Sequence, residues 1–215
     1  MLAVLYIVFT NLFKSDIPYY ILYLLLGLIM WNMLSRATSM GLNSILGRGG
    51  IVTKVYFPRE ILPLSSCITS FIMMIFEFGV FLAFIIAQQF VPPLTIALLP
   101  VLLFLEFVLA LGLALPLSIL NVYYRDVQYI WGVLLYAGFF ITPIFYKLDI
   151  LPPDIQKLAI INPMAQILDI ARNAALYNSL PAPSSLLYTV IVCFATLAVG
   201  YAVFRRYEGR VAEEI

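Results

Sequence analysis

Glu77 and Glu106 each stand inside a long apolar run, where an acid is costly and by default a sign of function. They flank the turn Gln88-Gln89-Phe90-Val91-Pro92-Pro93 symmetrically, so an antiparallel hairpin is expected to hold them at one depth. They serve either a polar pathway or hydrogen bonding between packed helices. The two cysteines, Cys67 and Cys193, lie in apolar stretches without metal-ligand spacing and read as small buried hydrophobes. There is no histidine, which removes the commonest general base and metal ligand. No D-x-D and no G-x-x-x-x-G-K-[ST] phosphate loop occurs. This inventory argues against a membrane-embedded transferase, and no cofactor or metal site is expected in this chain.

The elements that position these residues follow from composition. The chain is 215 residues long, 64% apolar and only 11% charged. A soluble domain carries roughly 25% charged residues, so most of this surface must face lipid. A net charge of +1 without a basic run gives no nucleic-acid signal. A helix needs roughly 20 apolar residues to cross a bilayer. By that measure the fold class is all-α, a polytopic membrane bundle of about six spans in one domain, residues 1–215.

Leu2 to Phe13 is too short to span and reads as a re-entrant piece or an incomplete first span. Ile17 to Ser35 spans and continues past Arg36 towards Leu46, where Gly47-Arg48-Gly49-Gly50 is expected to end the helix in a left-handed cap. Two spans fill Ile61 to Asn121, and an uncharged run from Val127 to Tyr146 makes another. Residues 147–182, rich in proline, read as two short interfacial or re-entrant helices. A last span covers Ser185 to Phe204.

Lys and Arg near span ends set orientation. Arg48, Lys54, Arg59, Arg125, Arg205, Arg206 and Arg210 gather on one side, against Lys14, Lys147, Lys157 and Arg172 on the other. The first side is expected to be cytoplasmic, with the C-terminus, in an inner or plasma membrane.

Four segments carry a resemblance. They are Gly49-Gly50-Ile51-Val52-Thr53-Lys54-Val55-Tyr56-Phe57-Pro58-Arg59-Glu60, then Tyr124-Arg125-Asp126-Val127, then Thr142-Pro143-Ile144-Phe145-Tyr146, then Asn162-Pro163 with Arg172. In order and spacing the chain resembles the permease subunits of ATP-binding-cassette exporters of O-antigen, teichoic acid and capsular polysaccharide. Relative to that family it looks N-terminally truncated.

The resemblance implies a transmembrane subunit with no ATP hydrolysis of its own, working as a dimer with a pair of separate ATPase subunits that bind ATP and Mg. The cargo it implies is a lipid-linked glycan. The alternative is a permease of similar fold for drugs or small lipids. Loop 47–60 would couple to the ATPase through Lys54, Tyr56, Phe57, Pro58, Arg59 and Glu60, joined by Arg125 and Asp126. The competing reading of this loop is a plain basic segment that sets topology, and Arg125-Asp126 can equally cap a helix. Tyr136, Phe139, Phe140, Thr142, Pro143, Tyr146, Asn162, Pro163 and Arg172 would belong to the glycan pathway and an outer gate, 147–182; belt and packing roles compete for the aromatics.

Overall fold

A computed structural model describes residues 19–52, 57–147, 152, 156 and 161–209. Six helices dominate: α1 (Tyr20–Leu42), α2 (Ile61–Ala87), α3 (Leu99–Tyr123), α4 (Val127–Ile141), α5 (Pro163–Leu176) and α6 (Pro183–Tyr207). Among the described residues four segments are long and apolar enough to cross a membrane: α1, α2, α6, and α3 together with the 3-10 turn before it, Leu94–Tyr123. The multi-pass reading therefore holds. The incomplete first span, Lys14, Lys54, Tyr56, Lys157, Arg210 and most of 148–160 lie outside the described residues.

α3 is the axis of the bundle and packs against all five other helices. Its Pro116 has no N–H to give the Gly112 carbonyl. α6 settles on that carbonyl through Gly200, while Gly112 itself lies against the Thr196–Leu197 backbone. Small residues let helix backbones meet in a membrane, where apolar area alone drives no association. α6 fully buries only Thr189, Cys193, Gly200 and Phe204, a single narrow stripe flanked by the partly buried Leu186, Val190 and Leu197, and leaves most of its remaining surface exposed.

α1 lies almost wholly inside the bundle. It ends at Leu42, before the glycines expected to stop it. Asn43 Nδ2 donates to the Ser39 carbonyl (3.1 Å) and Ser44 Oγ to the Gly41 carbonyl (2.6 Å), taking up the last turn. From α3, Asn121 Nδ2 donates to the Leu42 carbonyl (3.3 Å). Side-chain capping thus ends the helix one turn early. The chain continues as helical turns at Leu46–Arg48 and Gly49–Val52, and no glycine has positive φ among the described residues.

α4 is also shorter than the apolar run that encodes it. Pro143 forces Thr142 out of helical geometry (φ −74°, ψ 133°), so the helix stops at Ile141 and a hook, 142–147, follows. Of the two short helices expected in 147–182, α5 is described; the other falls mainly outside. α1, α3 and α6 run together, with α2 and α4 antiparallel. Arg48, Arg59, Arg125, Arg205 and Arg206 consequently share one end of the bundle, called here the basic end. The hook and α5 lie at the opposite end.

Candidate functional site

At the basic end the loop leading into α2 is tied to the bundle. Phe57 is half-buried against the cluster of Ile45, Leu62, Leu115, Ile119, Val122 and Phe204, which anchors it inward. Arg59 donates through Nη1 to the Glu208 carbonyl at the C-terminus of α6, where a cation also favours the helix dipole. Arg205 pairs with Glu208 at 3.2 Å. Pro58 is exposed and opens the turn into α2, whose N-cap is Glu60. Tyr124, Arg125 and Asp126 are exposed. Asp126 occupies the N-cap of α4 without a side-chain cap bond, and neither it nor Arg125 forms an ion pair among the described residues.

The two membrane acids differ in surroundings and in depth. The rings of Phe71 and Phe107 meet at 5.4 Å and set the hairpin register. Glu106 therefore sits about one and a half turns nearer the basic end than Glu77. The five-residue 3-10 stretch Leu94–Leu98 contributes about 2.5 Å to the offset, because it rises about 2.0 Å per residue against about 1.5 Å in an α-helix. Glu77 accepts from Arg36 of α1 at 2.7 Å, with both side chains about one-third exposed. Glu106 is fully buried and neither of its carboxyl oxygens has a partner.

Glu77→Leu, which strands Arg36, is expected to cost roughly 1–3 kcal/mol. Glu106→Leu removes two unbonded oxygens at similar volume and should be neutral or stabilising. Melting of the detergent-solubilised protein compares them; equal damage from both changes would show that Glu106 has a working partner.

Beside Arg36 runs a feature the sequence reading passed over. Asn32, Ser35, Arg36 and Ser39 recur at helical spacing on α1, continued by its C-cap Asn43, and all are exposed or half-exposed on a helix buried elsewhere except at Ile21 and Met40. α2 lies on one side of this polar stripe, through Arg36 and Glu77. α4 lies on the other, where Trp131 Nε1 donates to Thr38 Oγ1 (3.1 Å) and Gly138 fits against Trp31. The spacing was available in the sequence, since i, i+3, i+4, i+7 and i+11 define one helix face.

The aromatic cluster forms as one connected set: Phe140 meets Phe139 at 5.4 Å and Phe145 at 6.0 Å, and Phe145 meets Tyr146 at 5.1 Å. Phe139 is buried and contacts Trp31 at 6.2 Å. Tyr136 and Phe140 meet edge-to-face at 5.3 Å on the face of α4 away from α1, exposed together with Tyr129 and Val133.

The hook carries the densest bonding. Arg172, buried on α5, donates Nη1 to the Pro143 carbonyl (2.5 Å) and Nη2 to the carbonyls of Ile144 (2.5 Å) and Tyr23 (3.2 Å). Its guanidinium lies 3.5 Å over the Tyr23 ring. Tyr20 donates to the Phe145 carbonyl (3.0 Å) and Tyr23 to that of Tyr146 (2.7 Å). Every carbonyl from 143 to 146 is thus met by a side chain from α1 or α5, as a non-helical segment in a membrane requires. Tyr146 donates back to the Ile141 carbonyl (2.9 Å). Asn162 caps α5 by accepting from the Met164 N–H (3.0 Å), and its amide donates to Thr142 (3.3 Å); Pro163 takes the first helical position. Thr142, Pro143, Tyr146, Asn162, Pro163 and Arg172 are therefore brought together as one braced junction.

A family model described as "ABC-2 type transporter" matches residues 1–176. The O-antigen export system permease protein RfbA of Myxococcus xanthus is 26% identical over 97% of this chain and 81% of its own length. Proteins of the same name from Klebsiella pneumoniae are 27% and 25% identical, each over 97% of this chain and 80% of their own length.

Proposed function

The chain belongs to the ABC-2 type transporter family, and on that footing we propose that it is the membrane subunit of an ATP-driven exporter for a lipid-linked polysaccharide. The observation that carries this reading is the polar stripe Asn32-Ser35-Arg36-Ser39-Asn43. Arg36 has Glu77, but hydroxyls and amides turned outward from an intramembrane helix need water or a polar cargo, because lipid gives them no hydrogen bonds. A hydroxyl-rich glycan suits such a wall. The relatives, named for O-antigen export, support the same cargo class.

In this reading the basic end is cytoplasmic, and two copies of the chain face each other across the path. ATP and Mg belong to a separate pair of ATPase subunits. Movement of those subunits enters through loop 47–60 and the exposed Tyr124-Arg125-Asp126 turn. Arg59 passes it to the end of α6, while Phe57 carries it into the core beneath α3. The braced junction then closes the outer side of the path.

Reconstitution with the ATPase tests this. Lipid-linked glycan should reach the far face of proteoliposomes only when ATP is hydrolysed. Ser35→Trp and Ser39→Trp should stop it while leaving membrane insertion and ATPase binding at normal levels. Movement of glycan without the ATPase, or normal export through both tryptophan variants, would overturn the assignment.

A further inference from the structure

Beside the hook, at the α5 end, lies a pocket of about 190 Å³ lined by Tyr23, Lys147, Asp169, Arg172, Asn173 and Tyr177, among others. What remains unbonded there is of one kind. Arg172 Nε is buried without an acceptor, although the same guanidinium is fixed by three carbonyls and the Tyr23 ring. The Tyr177 hydroxyl is buried without a partner. Lys147 holds its ammonium 5.6 Å over the Tyr177 ring and makes no ion pair among the described residues. The pocket's one carboxylate, Asp169, accepts from Asn173 at 3.0 Å. Among the described residues two cations thus face one acid, and the unmet demand is for acceptors.

We propose that this pocket binds a phosphate group, with Arg172 Nε, the Tyr177 hydroxyl and the Lys147 ammonium as its donors. Three donors in separate positions need separate acceptor oxygens, which a tetrahedral oxyanion supplies and a halide does not. A buried donor without an acceptor is costly, and charge-assisted bonds to phosphate oxygens are the strong way to satisfy one. Because the guanidinium is already immobilised, binding orders only the lysine. Burial pushes the Tyr177 hydroxyl pKa up, against the Arg172 charge, so at neutral pH it stays a donor. The phosphate comes either from a lipid ester at the membrane surface or from solution. The site does not depend on what the transporter carries.

The test uses full-length protein in detergent after delipidation. An amine-acylating reagent is applied at constant ionic strength, and modification of Lys147 is followed by peptide mass. Inorganic phosphate should slow acylation of Lys147 saturably, at least about fivefold, while a model amine in the same solution reacts unchanged. Tyr177→Phe, which leaves the Arg172 junction intact, should raise the half-protecting concentration about tenfold, as expected for one lost charge-assisted hydrogen bond. Dihexanoyl phosphatidic acid protecting at concentrations about tenfold below inorganic phosphate would identify a lipid phosphate; equal or weaker protection would identify free phosphate. Equal protection by chloride, or no effect of Tyr177→Phe, would overturn the site.

Discussion

Alanine at Gly200 should loosen α6 from the rest of the protein. A Cβ there would run into the Gly112 carbonyl oxygen and come within 3.2 Å of Pro116 Cδ. At Gly112 an added Cβ would lie 2.7 Å from Leu197 N and 2.8 Å from the Thr196 carbonyl carbon. These are backbone contacts, with no flexible side chain to move aside, so the helices themselves must part. Overpacking of this kind costs about 1–3 kcal/mol, occasionally more. It outweighs the gain of up to about 1 kcal/mol that alanine brings to a helix interior. Gly132 is the internal control, because nothing lies within 4 Å of its Cβ position and only the favourable term remains. Melting of the three alanine variants in detergent should put Gly200→Ala and Gly112→Ala well below the parent and Gly132→Ala level with it or above. An unshifted Gly200→Ala would mean that α6 rests on something other than this contact.

Removing the Arg172 guanidinium should be at least as damaging. Arg172→Ala leaves the carbonyls of Pro143, Ile144 and Tyr23 without those donors, in a region shielded from water. Bonds to charged groups contribute about 1.5–3 kcal/mol each and do not add fully, so a loss of at least about 3 kcal/mol is expected. Arg172→Lys keeps the charge but not the planar fork that reaches several carbonyls at once, and should recover less than half. Gly27 offers an orthogonal route, since a Cβ there would meet Arg172 Nη2 and stand 3.1 Å from the Ile144 carbonyl. Gly27→Ala should therefore reproduce much of the Arg172→Ala defect with the arginine still present. Protease sensitivity of the hook and the level of folded protein report both. Arg172→Ala with a parental melting point would leave the junction without its assigned keystone.

The spans were legible because charged residues interrupt the apolar runs, and a bilayer tolerates few charges inside. The ends of α1 and α4 were less so. Three glycines outweighed Asn43 and Ser44 in the reading of α1, although it is the polar side chains that bond the last turn. In α4 an apolar run concealed Pro143, whose ring ends helices whatever the hydropathy around it. The stripe on α1 was missed because averaging over a span hides a face. Arg172 was singled out by resemblance, but its role was not readable. Its partners are backbone carbonyls 28, 29 and 149 residues away, and a carbonyl leaves no mark on the sequence. The coupling residues were only partly placed: Phe57 and Arg59 turn into the protein, while Arg125 and Asp126 remain outside.

The early stop of α4 also acts on the lipid around it. Fifteen residues rise about 22 Å, against a hydrocarbon thickness of about 30 Å, and the outer face of this helix is apolar over most of its length. The bilayer meets so short a wall by thinning, at a fraction of a kcal/mol per Å of mismatch. Along this edge the two headgroup layers are drawn together, and a polar group crossing there travels a shorter distance through hydrocarbon than beside the longer helices α2, α3 and α6.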